Sequence, residues 1–158
     1  PMTETSTRPE QVVRDFVAWE NGDSAKVDAV SESLDAYNPG LEGGEVHDRE
    51  GYAAYLEDGR SAFPDLQIAI EEIVASGDIV MAEVRITGTN EGEFNGLPPT
   101  DRSVDIRGIG KFLIGDGTVE ECYLYYDSRE MATQLGMTFP EVLGQVPKLA
   151  WRKLIGSG

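Results

Sequence analysis

The sequence predicts an α+β domain in which N-terminal helices cover one face of an antiparallel sheet, and three observations support this prediction. Between residues 9 and 63 the apolar residues recur at three- and four-residue spacing, as on the buried stripe of a helix. Between residues 66 and 126 they recur at every second position, which is typical of strands with one covered face. Glycine-rich turns divide this second region into hairpins.

The N-terminal third of the chain predicts three helices. The first runs over 9–22 and has a broad apolar face. Asp23 then caps a short helix over 24–34, where apolar residues repeat at three- and four-residue spacing. Asp48 caps a third helix over 49–63, and the proline that follows ends it.

Four long strands follow the helices. They are predicted over 66–76, 79–88, 103–114 and 118–126, and the hairpin turns contain Gly77-Asp78 and Gly115-Asp116-Gly117. After the last strand, Asp127 and Glu130 form a capping pattern that predicts a closing helix as far as Gly136. The helices must cover the apolar face of the sheet in order to remove it from water.

An apolar cavity of ligand size is predicted between the sheet and the helices. On the strand 103–114, Gly108 and Gly110 share the covered face with Val104, Ile106 and Phe112, and they leave space without side chains. Aromatic residues of the helices would close this space; they are Phe16, Trp19, Tyr52 and Tyr55. The alternative is that the helices fill the gap directly and leave a packed core.

The composition is strongly acidic. The chain carries 29 acidic against 13 basic residues, which gives a formal net charge of −16. Because phosphate binding depends on clustered lysine and arginine, this charge argues against nucleic acid as a partner. The acidic residues are spread along the chain, so we expect an acidic surface rather than a disordered acidic tail. Such a surface is typical of halophilic proteins, and we expect a salt-rich cytoplasm as the source.

No apolar run approaches the roughly 18 residues that span a bilayer, so we expect a cytoplasmic protein that does not insert into a membrane. A single cysteine, Cys122, and a single histidine, His47, predict neither an internal disulfide nor a structural metal site. Glycine-rich phosphate-binding loops are also missing from the sequence. We therefore expect no cofactor.

Five segments follow one another in a recognisable order. They are DAYNP at 35–39, FPDL at 63–66, GEFNGLPPTDR at 92–102, DGTVEE at 116–121 and YYDSREMATQLG at 125–136. Together they resemble the SnoaL-like polyketide cyclases over about 10–137, and DAYNP at 35–39 resembles the early strand of that family. The resemblance implies the NTF2-like cone, a curved antiparallel sheet wrapped by helices, with a pocket in its mouth and the loop 92–102 near the rim. It also implies aldol ring closure without metal or organic cofactor, in which a pocket aspartate works with a histidine.

The sequence departs from the family pattern at both catalytic positions. The aspartate lies three residues before the residue that opens the closing helix, where this chain has Leu124, and the histidine corresponds to Gly110. Neither side chain can transfer a proton. Two alternatives stay open. One is an enzyme with a degenerate active site that retains cofactor-free aldol cyclisation or isomerisation of a hydrophobic carbonyl-containing molecule. The other is a non-catalytic NTF2-like protein that binds a small ligand.

Asp127 and His47 are the candidate catalytic residues that remain. Asp127 is the surviving carboxylate nearest to the family's acid position, and its alternative role is helix capping. His47 lies just before a helix start, and the alternative is that it is an ordinary surface residue. The candidate substrate-binding residues provide apolar walls and a few polar contacts; they are Phe16, Trp19, Tyr37, Asn38, Tyr55, Leu97, Leu124 and Tyr126.

Three segments are expected along the chain. Residues 1–8 form a tail that is disordered or left over from cloning, 9–137 form the SnoaL-like domain, and 138–158 form an amphipathic, helical C-terminal extension. The extension is expected to pack on the protein or on a partner rather than on a membrane. We expect a homodimer formed through the outer face of the sheet, where Tyr123 and Tyr125 lie.

Overall fold

The computed structural model describes residues 8–94, 96–138 and 147. Within them, three helices, six strands and two 3₁₀ turns follow in the order α1 (Arg8–Glu20), a 3₁₀ turn (Ser24–Ala29), β1 (Val30–Tyr37), a second 3₁₀ turn (Glu42–Gly44), β2 (Glu45–Val46), α2 (Arg49–Ala62), β3 (Gln67–Ser76), β4 (Ile79–Thr89), β5 (Ser103–Gly115), β6 (Thr118–Tyr126) and α3 (Ser128–Gln134). The predicted α+β class is confirmed, and α1, α2, α3 and the strands β3 to β6 lie close to their expected bounds.

Three aspartates cap these helical segments as the sequence predicts. The carboxylates of Asp23 and Asp48 accept hydrogen bonds from backbone N–H groups at the start of the first 3₁₀ turn and of α2. Asp127 accepts from the N–H groups of both Arg129 and Glu130 at 3.0 Å. These bonds satisfy donors that a helix start leaves without intrahelical partners.

The predicted second helix over 24–34 is wrong in its second half. Ser24–Ala29 forms a 3₁₀ turn, but Val30–Tyr37 is the strand β1. The four-residue spacing of Val30 and Leu34 fits a helix face, and it also fits one face of a strand. Pairing on both sides decides the outcome, because β1 runs parallel to β6 and antiparallel to β2.

The strands form one curved sheet in the order β2-β1-β6-β5-β4-β3. The sheet thus has six strands. Periodicity predicts four of them, the family resemblance implies an early strand at 35–39 that overlaps the end of β1, and β2 was not predicted. The β1–β6 pair is parallel. On β5, Val104, Ile106 and Phe112 are buried while Asp105 and Arg107 are exposed, which confirms the predicted covered face. Helix α1 packs on β3 to β6, and α2 packs on β1.

The space above the two β5 glycines is occupied rather than empty. A Cβ atom at Gly110 would lie 2.7 Å from Cε2 of Phe112, and one at Gly108 would lie 2.9 Å from the carbonyl oxygen of Tyr125. The Phe112 ring itself packs edge-on against Phe16, with ring centroids 5.7 Å apart. The expectation that a cavity lies over these glycines is therefore wrong, because Phe112 folds back over its own strand.

The described residues begin within helix α1 and, apart from Pro147, end shortly after α3. Helix α1 begins at Arg8, one residue before the predicted domain start. The predicted extension 138–158 lies outside the described residues, apart from Thr138 and Pro147. In the part of the chain that the structure describes, every helix is too short or too polar to cross a membrane.

Candidate functional site

A cavity of about 660 Å³ opens between α2, the β1–β2 connection and the covered face of the sheet. Small-molecule sites in proteins have this range of volumes. Its apolar wall includes Leu66, Ile68, Ile86, Ile106, Leu124 and Met131. Its polar wall includes Glu20, Asn38, Tyr52, Tyr55 and Tyr126. An apolar chamber with a few polar groups suits a ligand that is largely hydrophobic.

The loop between β4 and β5 lies at the rim, since Phe94 and Gly96 both line the cavity. Asn90 is fully buried and connects the two ends of this loop. Its Nδ2 donates to the carbonyl oxygen of Gly92 at 2.8 Å, and its Oδ1 accepts from the N–H and hydroxyl of Thr100 at 2.9 and 3.1 Å. The position that the family resemblance implied for this loop is therefore the observed one.

A cluster of hydrogen-bond donors, formed by Asn38, Tyr55 and Tyr126, lies on one side of the cavity. Asn38 is only 6% exposed, and its Oδ1 accepts from the N–H of Gly40 at 2.8 Å and from the Tyr55 hydroxyl at 3.3 Å. These bonds fix the amide orientation, because a backbone N–H requires the oxygen rather than the nitrogen. No residue among 8–94 and 96–138 accepts a hydrogen bond from Asn38 Nδ2.

The hydroxyls of this donor cluster converge on one glycine. A Cβ atom at Gly40 would lie 2.5 Å from the Tyr55 hydroxyl and 3.0 Å from the Tyr126 hydroxyl. Burial raises the pKa of both tyrosines, with the neighbouring Tyr126 adding to the effect at Tyr55. Both hydroxyls therefore keep their protons at neutral pH. The Tyr55 hydroxyl donates its hydrogen to Asn38 Oδ1, whereas the Tyr126 hydroxyl can donate to an oxygen of a bound molecule.

A buried carboxyl group, Glu20, lies on the same cavity wall. Glu20 is the last residue of α1 and is 7% exposed. Its Oε2 accepts a hydrogen bond from the Tyr52 hydroxyl at 2.6 Å. Burial raises the pKa of Glu20 to about 7, and the hydrogen bond from Tyr52 opposes this rise. At neutral pH the carboxyl group is thus present in both protonation states.

Glu20 is absent from the candidate residues that the sequence provides, although a signal for it exists. Val13, Phe16, Val17 and Glu20 occupy the i, i+3, i+4 and i+7 positions of one helix face, and all four are buried. A glutamate on an otherwise apolar stripe is unusual, because buried carboxylates are rare unless they are paired. The helical periodicity therefore indicates Glu20 as a candidate functional residue.

Four of the eight predicted substrate-binding residues line the cavity: Asn38, Tyr55, Leu124 and Tyr126. Phe16 lies in the core and stacks on Tyr52, and Trp19 borders a separate small cleft. Tyr37 stacks on Tyr123, with ring centroids 4.6 Å apart. Leu97 is half-buried in the rim loop, where its backbone pairs with that of Phe94.

The two predicted catalytic residues lie elsewhere in the structure. Asp127 is exposed, caps α3 and borders a shallow outer groove together with Arg107 and Tyr125. His47 is exposed and forms ion pairs with Asp35 and Glu45, and the hydrogen bond with Asp35 is the main reason why its pKa is raised. Neither residue belongs to the described lining of the 660 Å³ cavity.

The chain belongs to the SnoaL-like polyketide cyclase family, whose sequence profile matches residues 11–135. No functionally curated protein matches the chain significantly. Within residues 8–94 and 96–138, no group of three or more His, Cys, Asp or Glu side chains is arranged to hold a metal ion.

Solved structures agree with this family. IdmH from Streptomyces antibioticus, provisionally assigned as a polyketide cyclase, is 26% identical with a TM-score of 0.71, over 82% of this chain and 99% of its own. AclR from Streptomyces galilaeus, provisionally assigned as a hydroxylase, is 27% identical with a TM-score of 0.68, over 82% and 96%. A provisionally assigned SnoaL-like polyketide cyclase from Jannaschia sp. CCS1 shares the fold, at 22% identity and a TM-score of 0.73 over 85% and 96%.

Proposed function

We propose that this protein binds a hydrophobic, carbonyl-containing small molecule in the cavity and carries out cofactor-free acid–base chemistry on it, as an aldol cyclisation or an isomerisation. One observation carries the proposal: the buried Asn38 amide lies on the polar wall of the cavity with donor hydrogens that no described residue accepts. A buried donor without an acceptor is costly, so such a group is typically reserved for a ligand. A carbonyl oxygen is the acceptor that suits it.

The donor cluster can stabilise the charge that such a reaction develops. When a proton leaves the carbon next to a carbonyl group, the electron pair moves onto the oxygen. Asn38 Nδ2 and the Tyr126 hydroxyl lie on one wall and keep their hydrogens at neutral pH, so both can donate to that oxygen. In a site screened from water, preorganised donors stabilise an enolate more strongly than a neutral ketone.

Asn38→Asp tests this proposal. The substitution retains an oxygen for the N–H of Gly40 and removes the donor hydrogens that no described residue accepts. We expect kcat/KM on aryl ketone or diketone substrates to fall by about 10²-fold, the typical loss when one oxyanion donor is removed. Tyr37→Phe is the matched control, because the neighbouring Tyr37 stacks outside the cavity. Equal activity of Asn38→Asp and wild type would remove the basis of the proposal.

The second candidate function is ligand binding without catalysis, and Leu124 is the observation that favours it. Leu124 lines the cavity at the family's acid position, and the space at Gly110 is filled by Phe112. A histidine at residue 110 would collide with the Phe112 ring. The test therefore uses Leu124→Asp alone, which restores the acidic side chain that the family resemblance implies at this position. If Leu124→Asp acquires turnover that the wild type lacks, while both bind the same ligand, the protein is a binding relative of the cyclases.

We also propose a homodimer formed through the outer face of the sheet. Tyr125 is 60% exposed there, and Ile109, its cross-strand partner, is 41% exposed. Two adjacent apolar side chains of this size favour burial against a second copy. Light scattering in high salt should give twice the chain mass, and a monomer mass would exclude this state. Tyr125→Lys is expected to shift the equilibrium toward the monomer.

The acidic composition supports a further proposal about the environment of the protein. With a net charge of −16, self-repulsion destabilises the folded state in dilute buffer and is screened by salt. We propose a halophilic, cytoplasmic protein that does not bind nucleic acid. The melting temperature should rise from dilute buffer to molar KCl, whereas equal melting temperatures would oppose a halophilic origin.

A further inference from the structure

We propose that Glu20 is the catalytic proton-transfer residue of this cavity and that Tyr52 is its positioning residue. This inference rests on the proposed function, because it assigns the residue that moves the proton. It places the carboxyl group at the end of α1, whereas the family resemblance implies an aspartate at the position of Leu124 on β6.

Burial separates Glu20 from the other acidic residues that line the cavity. Glu42, Glu45, Asp58 and Glu93 are all exposed at the rim. Among the described residues, the buried polar or charged side chains are Glu20, Asn38 and Asn90. Asn90 connects the ends of the rim loop, and Asn38 belongs to the donor cluster. Glu20 is therefore the one ionisable carboxyl group of the described chain that is both buried and in the cavity wall.

Apart from the hydrogen bond from the Tyr52 hydroxyl, the described surroundings of Glu20 do not stabilise a carboxylate. No described Lys or Arg forms a salt bridge with it, and the guanidinium of Arg60 donates to the Glu20 backbone carbonyl at 2.8 Å instead. The carboxyl group also lies at the C-terminus of α1, where the helix dipole disfavours a negative charge. An apolar residue at this position would continue the buried stripe at a lower cost in folding free energy. A glutamate here therefore lowers stability, and a functional role explains why it is present.

Tyr52 determines how the carboxyl group faces the cavity. Its hydroxyl occupies Oε2 at 2.6 Å, and among the described residues no donor contacts Oε1. The Tyr52 ring packs against Phe16 and Tyr55, with ring centroids 6.2 and 5.8 Å apart. Burial raises the pKa of Tyr52 well above its ordinary value, so the hydroxyl remains a donor. Oε1 is therefore the oxygen without a described donor, and we assign the proton transfer to it.

The proposed step balances without a further reactant. Oε1 of the ionised Glu20 takes a proton from the carbon next to a substrate carbonyl group; the C–H bond breaks, and its electron pair forms an enolate whose oxygen accepts from the donor cluster. In a cyclisation, the enolate carbon bonds to a second carbonyl carbon, and the new alkoxide takes the proton back from Glu20. In an isomerisation or exchange, the proton returns to carbon. A carboxyl group with a pKa near operating pH suits both directions.

Hydrogen–deuterium exchange of α-tetralone tests the assignment, because this hydrophobic aryl ketone has exchangeable hydrogens next to its carbonyl group. Binding is measured by saturation-transfer NMR, and exchange at C2 in D₂O by loss of the proton signal. We expect wild type to bind and to exchange, with a rate that rises with pH around the Glu20 pKa of about 7. Glu20→Gln should bind equally well and exchange at least about 100-fold more slowly, without that pH dependence.

Two further variants separate catalysis from structure. Glu57→Gln removes an exposed carboxylate on α2 and should exchange at the wild-type rate. Tyr52→Phe removes the bond that favours ionised Glu20, so its exchange profile should shift to higher pH. Exchange by Glu20→Gln at the wild-type rate would overturn the assignment and leave the proposed function intact. Wild-type protein that binds the ketone without exchanging it would overturn the catalytic function, and the role of Glu20 with it.

Discussion

Glu20 and Asp127 are both carboxylates at the end of a helix, and their surroundings are opposite. Asp127 lies at the N-terminus of α3, exposed to water, and accepts two backbone N–H groups at 3.0 Å. Glu20 lies at the C-terminus of α1, buried, with one hydroxyl donor at 2.6 Å. A helix N-terminus stabilises negative charge and a C-terminus disfavours it. The position of Asp127 is therefore explained by folding alone, and the position of Glu20 is not.

This difference shows how a structural acid can be told from a functional one. A capping aspartate contributes to stability through its own hydrogen bonds, and it needs no ligand. A buried glutamate on a cavity wall lowers stability, and its pKa near 7 makes it useful for moving protons. Sequence order alone favours Asp127, because it follows β6 directly and lies close to the position of the family's acid. Burial and helix polarity favour Glu20.

The largest expected effect is on turnover. Glu20→Gln should reduce the rate on a carbonyl substrate by about 10²- to 10⁴-fold, the range typical of a lost general base. Asp127→Asn and His47→Asn should retain the wild-type rate, because both residues are exposed and lie outside the described cavity lining. Steady-state kinetics on the three variants compares the two regions directly. Inactive Asp127→Asn beside active Glu20→Gln would reverse the comparison.

The second effect is a pH dependence of stability. The pKa of Glu20 is raised in the folded state, so its contribution to stability is greatest below about pH 4.5 and is lost as the pH rises to about 7. Between these pH values wild type should lose on the order of 3 kcal/mol relative to Glu20→Gln, with no further change above them. Urea unfolding at pH 4.5 and pH 8, in high salt, measures it. If the difference in free energy of unfolding between the two proteins is the same at both pH values, folding does not raise the pKa of Glu20.

The smallest effect concerns the cap. Asp127→Ala removes the acceptor of two N–H groups and should lower the free energy of unfolding by about 1 kcal/mol, as other capping aspartates do. Asp127→Ser retains a capping oxygen and should recover most of that loss. Ligand binding in the cavity should be equal in both variants. Urea unfolding and saturation-transfer NMR check the two statements, and a binding defect in Asp127→Ser would link the cap to the cavity.

Much of the fold follows from local sequence patterns. The caps at Asp48 and Asp127, the hairpin turns and the covered face of β5 all depend on spacing within a few residues, which the sequence displays. Strand β1 does not follow from local spacing, because it is a strand through its pairing with β6, some ninety residues away in the chain. A four-residue apolar spacing could not decide between helix and strand there.

The site was predictable in part for the same reason. Asn38, Tyr55, Leu124 and Tyr126 lie on the cavity wall, as expected for polar and apolar residues near the mouth of the cone. The position of the empty space was not predictable, since it depends on the rotamer of Phe112, which fills the room that Gly110 leaves. Predicting Glu20 as a site residue would have required two pieces of information: its position on the buried face of α1, and the location of the cavity beside that face.

Titration of the Glu20 carboxyl group is the most direct test of its proposed role in proton transfer. The carboxyl carbon can be followed by ¹³C NMR in protein labelled at glutamate, and Glu20→Gln identifies its signal by the loss of one resonance. We expect a midpoint near pH 7. A midpoint near the ordinary value of 4.5 would show that Glu20 is solvated, and the proton-transfer role proposed for this cavity would be contradicted.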